Sequence, residues 1–201
     1  YSDLEALLDD PANETPKPGH PAFANTEYRI IARPADALAA ARAAAEAAGY
    51  AVHDLGADLE GEARDVAAAH AELAKRLKRA GKRAAILSGG ELTVTLRGSG
   101  RGGPNQEYAL ALAIALQAEP GIVALAGDTD GTDGGGGEAT DPAGALIDPQ
   151  TLTRAATIGL DPARSLADND STGFFEALGD LLQPGPTLTN VNDCRVILIE
   201  P

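Results

Sequence analysis

The chain has no methionine and no tryptophan, a single cysteine, and aromatic residues at only 3% of its 201 positions. With Cys194 as the one thiol, no intrachain disulfide can form, which fits a reducing compartment. Scarce aromatics leave Ala, Leu, Ile and Val to build the core, and abundant alanine favours closely packed helices. No apolar run approaches the roughly 18 residues needed to span a bilayer. No charged-then-apolar leader opens the sequence either, so a cytoplasmic protein without membrane contact is expected. Cations are missing from one half: residues 1–103 carry 13 basic and 15 acidic side chains, and residues 104–201 carry 3 and 15. A duplex-binding surface needs a basic stripe, so this distribution argues against nucleic acid. Solubility alone also explains an acidic surface. Tyr1 opens in helix-like sequence (SDLEALLDD) without a methionine, which leads us to expect a piece of a longer polypeptide.

What is present reads as alternating strands and helices. A helix is expected over 1–8, then a proline-broken connector over 9–23, dividing the chain into a tail and linker (1–25) and a domain (26–201). Strands are expected over 28–32, 50–55, 84–88, 92–96, 121–126 and 195–199, and helices over 36–48, 61–80, 105–117, 149–158 and 171–182. The Gly89-Gly90 link predicts a hairpin-like turn or a sharp bend. The fold class is α/β, with a mixed sheet flanked by helices.

The richest stretch is 121–144, GIVALAGDTDGTDGGGGEATDPAG. Its apolar run, Ile122 to Leu125, has the length of a strand buried on both faces, and ligands of open α/β sheets gather beyond such carboxyl ends. Asp128, Asp130 and Asp133 follow directly, with four glycines after them. A calcium loop starting at Asp128 would need Gly at position 133 and Glu at 139, where Asp133 and Ala139 stand. Mg²⁺, which takes one or two protein carboxylates plus phosphate oxygens, suits the pattern better. A solvated Asp-Gly turn cluster is the plain alternative.

A second loop, Gly98-Ser99-Gly100-Arg101-Gly102-Gly103, precedes a helix expected to open at Pro104. Free N–H groups at such a helix start attract an anion, and Arg101 adds a forked cation. The pattern satisfies GxGxxG, but the acidic residue a ribose requires about 20 residues on falls on no clear candidate, because Glu119 lies in a turn. A ligand-free turn remains open. Motifs of P-loop kinases, nucleophile-elbow hydrolases, zincins and CxxC sites are absent. Two polar clusters, DNDST at 168–172 and NVND at 190–193, read as capping and turn chemistry.

Taken in order, ETPKPG, SGGE..VT, GSGRGGPNQEYALALA, ALAGDTDGTDG, DNDSTGFF and TNVNDCRVIL resemble the MOFRL domain of the type-2 glycerate kinases, some of which carry the label hydroxypyruvate reductase of the tartrate pathway. The resemblance runs from about residue 14 to 199 and implies a C-terminal MOFRL-type domain. It also implies ATP and Mg²⁺ as cofactors, D-glycerate as substrate, and a cleft shared with an N-terminal domain that supplies a catalytic lysine. Asp128 and Asp130 would hold the metal or its waters; Arg101, Asn105 and Glu107 would act with Asp128 in catalysis; Gly89, Gly90, Glu91, Gly100, Gly102, Gly103, Asn190 and Asn192 would contact cofactor. Where many members read GGRNQE, this chain has Pro104, leaving Arg101 or Arg97 as the substitute cation; Leu92 stands where Thr or Gly is common. The resemblance leaves a reductase, or a non-catalytic lid or homodimerisation module, as alternatives.

Overall fold

The structure is a computed structural model that describes residues 2–201. The chain divides between Ile31 and Ala32 into two units. The first holds helix α1 (Ser2–Asp9) and two 3₁₀ turns, Pro11–Asn13 and Pro21–Phe23. Each turn begins with proline, and the side chain before it, Asp10 or His20, accepts a backbone N–H two residues on. The strand expected over 28–32 does not form: residues 26–33 carry no helix, strand or turn. A strand exists only through pairing, and among the described residues no backbone hydrogen bond involves residues 28–32.

In the second unit, helix α2 (Pro34–Ala47) leads to β1 (Ala51–Asp54), and β2 (Glu60–Glu62) to α3 (Ala63–Arg79). Then come β3 (Ala84–Ser88), β4 (Glu91–Thr93), α4 (Pro104–Leu116), β5 (Ile122–Asp128) and β6 (Gly144–Ile147). Helices α5 (Thr151–Thr157), α6 (Pro162–Ala167) and α7 (Ser171–Leu178), strand β7 (Leu181–Leu182) and strand β8 (Asp193–Ile199) complete it. Six strands form one mixed sheet in the order β1-β3-β8-β5-β6-β7, while β2 and β4 pair separately and parallel.

Two expected element ends are corrected, and of the two forms expected for the Gly89-Gly90 link the sharp bend is the one present: Gly90 has φ 85°, its neighbour Glu91 donates to Leu59, and β4 leaves the main sheet to pair with β2. That strand ends at Thr93, because Glu60–Glu62 offers no longer partner. The helix expected to reach 182 stops at Leu178, where Gly179 turns left-handed (φ 73°) and Asp180 donates back to Phe175.

Helix α4 explains the core. Ten of its thirteen residues are buried, so it runs through the domain as an apolar rod against α3, β5 and β6. Alanines 63, 67, 71 and 74, all fully buried, form the face of α3 that lets the helices approach closely. On β8 the side chains alternate strictly: Asp193, Arg195, Ile197 and Ile199 are buried, and Cys194, Val196 and Leu198 lie on the opposite face. That opposite face is covered by α2 only over β1, β3 and β8. Over β5 and β6 it stays open, with Val123 and Leu146 exposed.

Candidate functional site

The site collects where the carboxyl ends of β3 and β5 meet the start of β8. Register places Asp128 directly opposite Asp193, and Ser88 opposite Arg195. Gly90 accepts the Asp193 N–H at 3.2 Å, which brings the bend after β3 to the same end. Asn190 donates to Asp130 at 3.2 Å and accepts from the Asn192 N–H at 2.9 Å; Asn192, at φ 60°, presents its carbonyl to Thr129. Asp128, Asp130, Asn190, Asn192, Gly89 and Gly90 therefore lie together at this end of the sheet. Glu91 is exposed just beyond them.

Asp128 is half-buried among carboxylates. Burial, reinforced by Asp130 and Asp193, pushes its pKa up to about 6, while the Asp130 N–H at 3.0 Å pulls the other way. A half-buried carboxylate crowded by like charge is the arrangement that a cation relieves. Asp130 accepts from the Thr132 N–H at 2.9 Å, so two successive aspartates fold the loop onto itself. Among the described residues no three His, Cys, Asp or Glu side chains form a ready metal cage. Asp128 and Asp130 offer oxygen donors, the type hard divalent cations take.

Asp133 has a different role from its neighbours. Its buried carboxylate accepts the backbone N–H of Asn105 (3.0 Å) and Gln106 (2.9 Å) and both side-chain amides. It thereby caps α4, which its nominal cap residue Gly103 cannot do. Burial pushes its pKa above the usual carboxylate range. The anion seat expected at this helix start is thus taken by the protein's own carboxylate. A β-carbon on Gly103 would clash with Asp133, so the two loops touch there only because the residue is glycine.

The Gly98–Gly103 stretch is likewise partly committed. Arg97 and Gly98 donate to Asn169, Ser99 and Gly100 to Asp168, and Arg101 to Asp170, at 2.7 to 3.2 Å. These are residues of the DNDST cluster, whose purpose is now visible: it holds the loop's shape. Gly102 and Gly103 have no backbone partner for their N–H groups among the described residues, which narrows the expected cradle to these two. Gly102, with Gly100, Arg101, Asp133, Gly134, Gly135, Asp141, Pro142 and Thr172, borders a cleft of about 340 Å³, whereas Gly103 is buried. Arg101 lies at its rim, paired with Glu176 at 2.7 Å and largely exposed.

Glu107 and Asn105 lie behind this surface. Glu107, nearly fully buried, accepts from Arg64 at 2.6 Å and from Asn169 at 2.8 Å, so both oxygens are engaged. Asn105 bridges Asp133 and Asp193, donating to the latter at 2.7 Å. Beneath Asp128 the guanidinium of Arg195 pairs with Asp193 and donates to the Gly89 carbonyl and to Ser88. Arg195, Asp193, Gln106, Asn169 and Thr172 were not among the sequence candidates. The one available signal was a charged pair at i and i+2 opening an apolar strand, which puts both charges on the buried face. His70 and Tyr108 meet in the core at 2.8 Å, with the Arg195 guanidinium 5.7 Å from the Tyr108 ring; burial, aided by the Arg195 charge, brings the His70 pKa down to about 4. Cys194 has its thiol pKa raised by burial, consistent with a packing role.

The fold and site define an α/β domain with two apposed glycine-rich loops and a carboxylate cluster at the end of a mixed sheet. Residues 84–193 match the MOFRL family, and the chain belongs to it. It is 49% identical over 193 residues to a putative hydroxypyruvate reductase of Agrobacterium vitis, covering 93% of this chain and 42% of that protein. It is 37% identical over 190 residues to a D-glycerate 2-kinase of Thermotoga maritima, covering 92% of this chain and 44% of that one. The crystal structure of glycerate kinase from Thermotoga maritima superposes with TM-score 0.81 at 37% identity, over 88% of this chain and 42% of that chain. The chain thus spans less than half the length of these relatives. Among the described residues, no helix is long and apolar enough to cross a membrane.

Proposed function

We propose that this domain forms one wall of the active site of a cytoplasmic glycerate 2-kinase, which transfers the γ-phosphoryl group of ATP to D-glycerate and yields 2-phosphoglycerate. The observation that carries this reading is the half-buried Asp128, held between like charges at a sheet end and heading the loop whose Asp133 borders the cleft with Gly100 and Gly102. The relatives' names supply the substrate class. Phosphoryl transfer requires positioning and charge stabilisation more than covalent chemistry, and these residues offer both. Asp128 and Asp130 would hold Mg²⁺, which when bound neutralises phosphate charge. The unpaired amide of Gly102, which borders the cleft, would orient an anionic group of glycerate or nucleotide, with Arg101 adding a cation from the rim. Asn190 and Asn192 order the Asp130 loop, and Asn105 and Glu107 hold the start of α4 in place. The opposite wall, with the lysine the family uses, would come from an N-terminal domain of the same polypeptide. The relatives' greater length and the open sheet face over β5 and β6 support such a partner.

The name of the Agrobacterium relative favours a second reading, reduction of hydroxypyruvate with a nicotinamide cofactor. The geometry speaks against it, since Asp133 occupies the helix start where a dinucleotide pyrophosphate would sit. A hybrid in which this chain replaces the matching part of the Thermotoga maritima kinase decides between them. D-glycerate-dependent ADP formation supports the kinase, and NADH oxidation with hydroxypyruvate the reductase. The 201-residue chain alone is expected to form no phosphoglycerate; turnover by it would refute the shared cleft.

A further inference from the structure

The segment from Tyr28 to Ala32, YRIIA, has a strand's composition and no strand's partner. Its side chains are those of an interior strand: Tyr28 is 90% exposed, Ile30 60% and Ile31 91%, with Arg29 tied only to its neighbour Glu27 at 2.6 Å. Alternation puts Tyr28, Ile30 and Ala32 on one side and Arg29 and Ile31 on the other. One side is therefore apolar throughout, and the other carries the almost fully exposed Ile31 beside a charge. Five residues with no backbone hydrogen bonds offer unpaired donors and acceptors over about 17 Å. Apolar side chains and unpaired backbone together call for one kind of partner, a sheet edge beneath further apolar layers. Arg33 alone separates the segment from α2, as in a strand-to-helix connection. Helix α2 covers β1, β3 and β8, and both β3 and β8 already have neighbours on each side.

From these observations we infer that residues 28–32 are a strand of a second sheet, one built by the part of the polypeptide that the relatives possess beyond this domain. Resting on the split-domain reading above, it makes the chain cross from one sheet to the other through strand 28–32 and α2. The joint between the domains is then a shared β-strand pairing, stiffer than a loop.

Amide hydrogen exchange on the Thermotoga hybrid and on the 201-residue chain tests this, with Ile86 and Leu112 as buried controls that must be protected in both. In the hybrid the amides of residues 28–32 are expected to exchange at least about 100-fold more slowly than in the chain alone, the scale of a paired strand in a folded sheet. Equally fast exchange in both overturns the inference. So does protection already present in the chain alone, which assigns the segment to the free edge of β1 if the chain is monomeric and to a second copy if it is dimeric. An active hybrid with fast exchange at 28–32 rejects the strand and keeps the kinase. A protected strand in a hybrid without ADP formation does the reverse.

Discussion

Asp193 and Arg195 meet at 2.7 Å on the buried face of β8, two residues apart and almost wholly shielded from solvent. Their pairing satisfies Asp193, which also accepts from Asn105 and stands opposite Asp128.

Arg195→Met should therefore cost about 3–5 kcal/mol, because it leaves a buried carboxylate uncompensated. Adding Asp193→Asn should recover part of that loss. Urea unfolding of the two variants checks both; an unchanged midpoint for Arg195→Met would show that the pair contributes nothing.

Asp128→Asn should separate stability from activity. The folded pKa of about 6 lies above the ordinary 3.8, so the fold disfavours the ionised form. That cost is fully present above pH 6 and is relieved as pH falls from about 6 toward 4. The variant should unfold at higher urea than the parent at pH 8 and at the same urea near pH 4. In the kinase hybrid it should lower the rate by about 10² or more, as loss of an electrostatic anchor does.

For His70 the sign is opposite. Its pKa, lowered by burial to about 4 from 6.5, means the fold favours the neutral ring. The resulting stability is full above pH 6.5 and lost as pH falls toward 4. His70→Gln should flatten the acid side of the stability profile between those values, measured by thermal melts at half-unit intervals. An unaltered acid slope would mean that another group sets it.

Arg101 gives the cleanest test of the rim. Its ion pair with Glu176 joins side chains 68% and 60% exposed, so Arg101→Ala should change stability by no more than about 0.5 kcal/mol. If the guanidinium meets an anionic group of substrate or nucleotide, KM for one of them should rise about tenfold or more in the hybrid. Unchanged KM and kcat would confine Arg101 to the surface pair.

The sequence displays what short-range physics controls. The run that became β3 was visible because a strand buried on both faces is apolar throughout. That of β5 was visible from its apolar residues, but its expected burial on both faces is corrected, since Val123 lies on the open face. Helix α4 was visible from its length and its proline start. Strand β2 was not, since Glu-Gly-Glu has no strand preference and pairs only because β4 lies beside it. Residues 28–32 erred the other way, with a strand's composition but no strand paired to them among the described residues. In the site, the glycine loops and Asp128 were readable as chemistry. The roles of Asp133, Asn169 and Arg195 were not, because each depends on partners 27 to 107 positions away.

Strand β8 has a kinetic consequence. It lies between β3 and β5, so the blocks β1-β3 and β5-β6-β7 share no backbone pairing except through it. Each block can assemble early from nearby chain, but the sheet closes only when the last strand in sequence order inserts between them. Contacts of such wide sequence separation slow folding. Until that insertion Asp128 has no Asp193 opposite it, so the carboxylate cluster should emerge in the final folding step.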